Sequence, residues 1–151
     1  MIYTECKPDS SLVRILGIPK RQIIHLQGKP EVCKQLEKRE NLLGMVDEDP
    51  FSVQPSYLKR LPVKEDLPTY GLKILNDTSK HNELIILCPK LEDWILKAAK
   101  DAGIDIKRYN LPNDGDELHK VINTDLRKFE RLVNDLKGKS EMIKALERVI
   151  K

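Results

Sequence analysis

The chain has 151 residues, of which 40% are hydrophobic and 34% are charged, and its formal net charge is +3. This length and balance predict a single soluble domain, residues 1–151, that is large enough to bury one core. The small positive charge allows a nucleic-acid partner without requiring one. No apolar run is long enough to span a membrane, so no membrane partner is expected.

Three cysteines, Cys6, Cys33 and Cys88, are spread along the chain without a CxxC pair. An odd and sparse set of this kind is typical of reduced thiols and not of a disulfide framework. Glu5 and Lys7 interrupt the only early apolar run, so no secretory signal is expected. The cysteine pattern therefore predicts a cytoplasmic protein.

The first third of the chain alternates strand-like and helix-like segments. Strands are predicted at residues 2–5, 22–26 and 41–46. A helix is predicted after the first strand, with Asp9 as a candidate N-cap, and a second helix after Pro30, which suits a first helical turn. This order is typical of a sheet whose strands are joined by helical crossovers.

The middle of the chain is less regular, because prolines exclude a long helix between residues 51 and 69. A short strand is predicted at 56–61, another at 72–75, and a fully buried strand at 84–87, where four apolar residues are consecutive. A helix that ends near Gly103 follows. The remaining residues carry apolar stripes at helical spacing.

These elements predict an α/β fold: a mostly parallel central sheet of about four strands, with helices on both faces. Residues 1–103 are predicted to form this core, and residues 104–151 a C-terminal helical extension. Right-handed crossovers bring the carboxyl ends of parallel strands to one edge of the sheet, which is where ligands bind in open sheets.

Acidic residues follow the predicted strands at that edge. Glu5 ends the first strand, Asp47 and Asp49 end the third, Glu92 follows the most apolar strand, and Asp9 lies four residues after Glu5. Carboxylates that converge in this way repel one another unless their pKa values rise or a cation binds. Hard ions such as Mg²⁺ or Mn²⁺ prefer oxygen ligands, whereas zinc prefers nitrogen and sulfur. The pattern therefore predicts a magnesium or manganese site.

Each acid also has a purely structural interpretation. Asp9 can be a helix N-cap, and Glu92 can favour the positive end of its own helix. Asp47 and Asp49 can be turn residues before Pro50. The combination of all five acids indicates a metal site more strongly than any one of them does.

Two motifs, Glu5-Cys6-Lys7-Pro8-Asp9 and Asp47-Glu48-Asp49, resemble the TOPRIM fold that topoisomerases, bacterial primases and OLD-type nucleases share. The segment from Cys88 to Trp94 is similar to the Pro…Glu-x-Trp signature of small TOPRIM-like proteins. The resemblance covers residues 1–103. It departs from the usual pattern at Cys6, where this fold often has glycine, and at Pro50, which ends the acidic run early.

The resemblance implies a Mg²⁺-dependent (or Mn²⁺-dependent) nuclease or related phosphodiester-processing enzyme. It implies that Glu5 is a metal ligand or general acid/base, and that Asp47 and Asp49 are catalytic residues that hold the metal. It also implies that Asp9 and Glu92 complete a second metal position, as in the nuclease branch.

Basic residues are candidates for contacting a nucleic acid. Lys80 and Lys90 are candidate phosphate-binding residues. The last two helices carry further basic residues that could contact a nucleic-acid backbone, namely Arg127, Lys128, Arg131 and Lys144. A charged helix face opposite an apolar stripe is more often plain surface.

Two other functions are compatible with the same residues. The chain could be a non-enzymatic metal-binding or interaction subunit of a larger assembly, whose C-terminal helices dock a protein partner or a second copy. It could also be a phosphatase of the haloacid-dehalogenase type, with Asp47 as nucleophile and Asp49 as acid/base. That motif belongs on the first strand of its fold, and here it follows the third.

Overall fold

A six-stranded mixed sheet forms the centre of the computed structural model, which describes residues 1–151. The strands are β1 (Ile2–Thr4), β2 (Ile23–His25), β3 (Leu43–Asp47), β4 (Val63–Leu67), β5 (Leu72–Asp77) and β6 (Asn82–Leu87). Their order across the sheet is β2-β1-β3-β6-β5-β4. The first four in this order pair in parallel, whereas β5 is antiparallel to β6 and β4 is antiparallel to β5.

Seven α-helices surround the sheet. They are α1 (Lys7–Ile15), α2 (Lys29–Lys38), α3 (Ser56–Lys59), α4 (Leu91–Asp101), α5 (Gly115–Thr124), α6 (Arg127–Lys137) and α7 (Glu141–Ile150). None of them has the length and apolar character needed to cross a membrane.

The α/β class is confirmed, but the predicted sheet of about four mostly parallel strands was wrong: there are six strands, and the sheet is mixed. The strand β4 was missed because it is an exposed edge strand with three consecutive charged residues, so it carries no apolar alternation. The strand predicted at 56–61 is instead the short helix α3, with Pro55 at its N-cap. Asp9 is not an N-cap, since α1 starts at Lys7 with Cys6 as its cap.

Alternation along the strands divides the apolar side chains between two cores. Ile2, Met45 and Ile85 face a large core that is shared with α1, α4 and all three C-terminal helices. Val46 and Ile86, each one residue further along, face a smaller core that is shared with α2 and α3. The helical extension therefore packs into the same core as the helices of the sheet domain.

Gly44 allows α2 to approach the centre of the sheet closely. A Cβ atom at this position of β3 would lie 2.9 Å from Leu36 Cδ1 and 2.9 Å from Leu84 Cδ1, and 3.2 Å from Val32 Cγ1. All three neighbours are completely buried. No side chain larger than hydrogen fits here without displacing α2 or β6.

We expect Gly44→Ala to lower the free energy of unfolding by about 1–3 kcal/mol, because an added methyl group overpacks this core. Gly138→Ala is the matched control, since a Cβ there meets no atom within 4 Å. Urea denaturation measures both changes. Equal stability of the two variants would show that α2 is not packed this tightly.

Candidate metal centre

The parallel strands place four carboxylates at one edge of the sheet. Glu5 directly follows β1, Asp47 is the last residue of β3, and Glu92 lies in the first turn of α4, which follows β6. Because β1, β3 and β6 are neighbours, these three ends lie side by side. Asp9, in the first turn of α1, is the fourth. The sequence-based expectation that these acids meet at this edge agrees with their positions.

One oxygen of each carboxylate in the centre of this cluster is anchored by a hydrogen bond. Glu5 Oε1 accepts the N–H of Asp47 at 2.6 Å, and Asp47 Oδ1 accepts the N–H of Leu91 at 3.0 Å. Asp9 Oδ2 accepts the thiol hydrogen of Cys6, with an S···O distance of 3.1 Å. Each group therefore has a fixed position and keeps a second oxygen that the protein does not engage.

Asp9 is the most unusual member of the cluster. Its side chain is fully buried, and its Oδ1 is the one buried side-chain oxygen or nitrogen in the protein without a hydrogen-bond partner. Burial raises the pKa of Asp9 well above its usual range, and the nearby carboxylate of Asp47 raises it further. An unpaired oxygen of this kind is costly unless it is protonated or bound to a cation.

Burial and mutual repulsion raise the pKa values of the neighbouring acids too. Burial, and then the charges of Glu5 and Glu92, raise the pKa of Asp47 to about 8. Burial is also the main cause of the raised pKa of Glu5, although the N–H of Asp47 and the charge of Lys29 oppose it. Without a bound cation, the cluster therefore holds protons at a pH where free carboxylates have lost them.

Lys29 is a buried cation beside this cluster that sequence reasoning missed. It lies in the first turn of α2 and is 7% exposed. Its Nζ donates to the carbonyl oxygen of Glu48 at 2.8 Å and to Oε1 of Gln54 at 2.9 Å. Its charge partly offsets that of Glu5 and Asp47. The sequence does offer one signal for Lys29. The helix dipole disfavours a cation in the first turn of a helix, so a lysine at this position indicates that negative groups lie nearby.

Asp49 lies at the rim of the cluster. Its backbone is left-handed, with φ of 42°, and its N–H donates to the carbonyl oxygen of Pro89 at 2.8 Å. Its carboxylate is 3.8 Å from Lys90 Nζ, so the structure brings Lys90 to the site. Lys80 is not brought there. It precedes β6, and its carbonyl accepts the N–H of Asn41 at the opposite edge of the sheet.

A cleft of about 220 Å³ opens beside these carboxylates and has no apolar residue in its lining. Helix α5 of the C-terminal extension forms one wall. His119 Nδ1 on that helix is 2.6 Å from Glu92 Oε1. The lining residues are Asp47, Asp49, Lys90, Glu92, Asp93, Gly115, Asp116 and His119. Sequence reasoning missed His119, because it placed the extension outside the functional core.

The oxygen donors at this edge are of the kind that a hard divalent ion prefers, but they do not converge on one point. No group of three or more His, Cys, Asp or Glu side chains is positioned to hold a metal ion as it stands. The available donors are carboxylate oxygens, which Mg²⁺ and Mn²⁺ prefer, and Asp9 Oδ1 has no other partner. Metal binding here therefore requires small shifts of these side chains that bring their unengaged oxygens together.

We expect the chelator-treated protein to lose stability as the pH rises from about 4 to about 8. The folded-state pKa of Asp47 is raised, so the folded protein binds more protons than the unfolded chain throughout this window. The loss should be a few kcal/mol, at roughly 1.4 kcal/mol per pH unit, and each kcal/mol should lower the Tm by about 2–4 °C in a chain of this size. Thermal unfolding in EDTA at pH 5 and pH 8 measures it.

Asp47→Asn should reduce this pH dependence, because the amide does not ionise. Glu40→Gln is the control, since Glu40 is exposed and lies outside the site. Equal slopes in the wild-type protein and Asp47→Asn would contradict the proposed crowding of charge at this edge.

Comparison with known proteins found no relative. No protein-family model, curated protein or solved structure matches the chain.

Proposed function

We propose that the protein is a TOPRIM-like, Mg²⁺-dependent (or Mn²⁺-dependent) nuclease or related phosphodiester-processing enzyme that acts on nucleic acid. The observation that carries this proposal is the state of Asp9. Its side chain is fully buried, its Oδ1 has no hydrogen-bond partner, and the charges of three further carboxylates act on it. A cation explains this arrangement, since it pairs with the unpartnered oxygen and offsets the repulsion.

Glu5, Asp9 and Asp47 would hold the ion, because each has one anchored oxygen and one unengaged oxygen. When bound, a divalent ion stabilises negative charge on the attacking and leaving oxygens of a phosphodiester. The charge of Lys29 favours the ionised forms of Glu5 and Asp47, and its Nζ holds the backbone carbonyl of Glu48 in place. Buried anchoring of this kind gives the ligands defined positions.

Lys90 is the proposed phosphate contact. Its side chain is 47% exposed at the rim of the cleft, and it forms an ion pair with Asp49 at a distance of 3.8 Å. A phosphate that enters the cleft would compete with Asp49 for this ammonium group.

The basic residues of the last helices support a nucleic-acid partner less well. Arg127 forms an ion pair with Asp125 at 2.8 Å, and Lys144 forms one with Glu141 at 3.3 Å. Exposed pairs of this kind are weak and can exchange for phosphate. We therefore place the main substrate contact at Lys90 and not on the C-terminal helices.

A non-enzymatic metal-binding or interaction subunit is the second candidate function. It is favoured because the carboxylates are not preassembled around one point, and catalysis depends on such preassembly more strongly than partner docking does. Docking through the C-terminal helices would have to use their polar faces. Phe129, Leu132 and Leu146 are completely buried in the main core, so the apolar faces already pack against the protein itself.

We expect the purified protein to nick plasmid DNA, or to cleave RNA, in Mn²⁺ or Mg²⁺ and not in EDTA. Asp47→Asn and Glu5→Gln should each lower the rate by about 100-fold or more, because each removes a charged metal ligand without changing its shape. Glu40→Gln should cleave like the wild-type protein. Gel assays with both nucleic acids measure the rates.

The other outcomes of this experiment separate the remaining functions. Metal binding that Asp47→Asn abolishes, without cleavage of either nucleic acid, would favour the non-enzymatic subunit. Turnover of a small phosphomonoester with phosphate trapped on Asp47 would favour the phosphatase. Cleavage that survives both substitutions would refute the proposed nuclease site.

A further inference from the structure

Helix α5 of the C-terminal extension is fitted closely against the acidic cleft. Its N-terminus is capped by Asp114, whose Oδ2 accepts the N–H of Glu117 at 3.0 Å. Gly115 lies directly against Asp93 of α4, and a Cβ atom there would overlap the Asp93 carboxylate. The glycine therefore lets α5 approach α4 closely, and one turn further along this helix is His119.

The imidazole of His119 is oriented by a buried carboxylate. Nδ1 is 2.6 Å from Oε1 of Glu92, and the Glu92 side chain is 8% exposed whereas that of His119 is 64% exposed. A carboxylate oxygen accepts, so the contact places a proton on Nδ1. Asn123 Nδ2 lies on the same side, 3.2 Å from Nδ1, and donates to the His119 carbonyl at 2.7 Å. The second ring nitrogen, Nε2, makes no hydrogen bond.

A carboxylate that fixes Nδ1 of a histidine is the usual outer partner of a metal-bound imidazole. His119 and Glu92 line the same cleft as Asp47 and Asp49. From this we infer that His119 Nε2 is a nitrogen ligand of the divalent ion that the carboxylates hold, and that Glu92 orients the imidazole. The inference rests on the proposed metal site and adds a residue from outside the sheet domain to it.

A histidine ligand would also change which ion the site prefers. Imidazole nitrogen suits transition metals better than Mg²⁺, which prefers oxygen and water. A site with one imidazole among carboxylates should therefore bind Mn²⁺ more tightly than Mg²⁺. Removal of His119 should weaken the binding of Mn²⁺ more than that of Mg²⁺.

Electron spin echo envelope modulation of the Mn²⁺-loaded protein tests the inference without relying on activity. A histidine ligand gives a ¹⁴N modulation, which we expect in the wild-type protein and in His25→Ala, whose imidazole is at the end of β2. The modulation should be absent in His119→Ala and His119→Gln, and the Kd for Mn²⁺ should rise about 10-fold. Because the His119 side chain is largely exposed, both variants should fold, which circular dichroism checks.

The experiment distinguishes failure of the histidine ligand from failure of the whole metal site. Wild-type protein that binds Mn²⁺ without ¹⁴N modulation, and with the same Kd as His119→Ala, would overturn the histidine ligand and leave the carboxylate site standing. A modulation that His25→Ala removes would overturn it as well. Wild-type protein that binds no Mn²⁺ at all would overturn both this inference and the proposed function.

Discussion

The concentration of negative charge at the carboxyl edge of the sheet is the constraint on which the site depends. Glu5, Asp9, Asp47 and Glu92 repel one another, and burial strengthens that repulsion because little water screens it. The protein keeps them in place with hydrogen bonds to single oxygens and with one buried cation, Lys29. These contacts compensate only part of the negative charge, so the site binds protons, or a metal ion, more readily than isolated carboxylates do.

The sheet topology explains why the charges meet at all. Parallel pairing puts the carboxyl ends of β1, β3 and β6 next to one another. The acid at or just after each end therefore lies at the same edge of the sheet. The antiparallel strands β4 and β5 extend the sheet away from the site and bring no acid to it. The correction to the predicted strand number therefore leaves the location of the site unchanged. Lys80 lies at the opposite edge because it precedes β6 and does not follow it.

The C-terminal extension is part of the same body as the sheet and contributes to its cleft. Its three helices share the main core with α1 and α4, which fixes their orientation relative to the carboxylates. Gly115 allows close contact with α4, and His119 reaches Glu92 as a result. A helical segment that carries no recognisable motif thus supplies a side chain to the site. Its apolar surface is already used internally.

Local sequence patterns determined the order of most helices and strands, the apolar strands and the acids at their ends, because each depends on residues that are near one another in the chain. The exposed strand β4 was not predicted, since an edge strand needs no apolar face and this one has no apolar alternation. Only the tertiary structure decided which oxygen is anchored, that Lys29 is buried, and that His119 meets Glu92. The Glu5–Asp47 and His119–Glu92 contacts join residues 42 and 27 positions apart. No local propensity encodes such contacts, because they form only when packed helices and paired strands bring distant residues together.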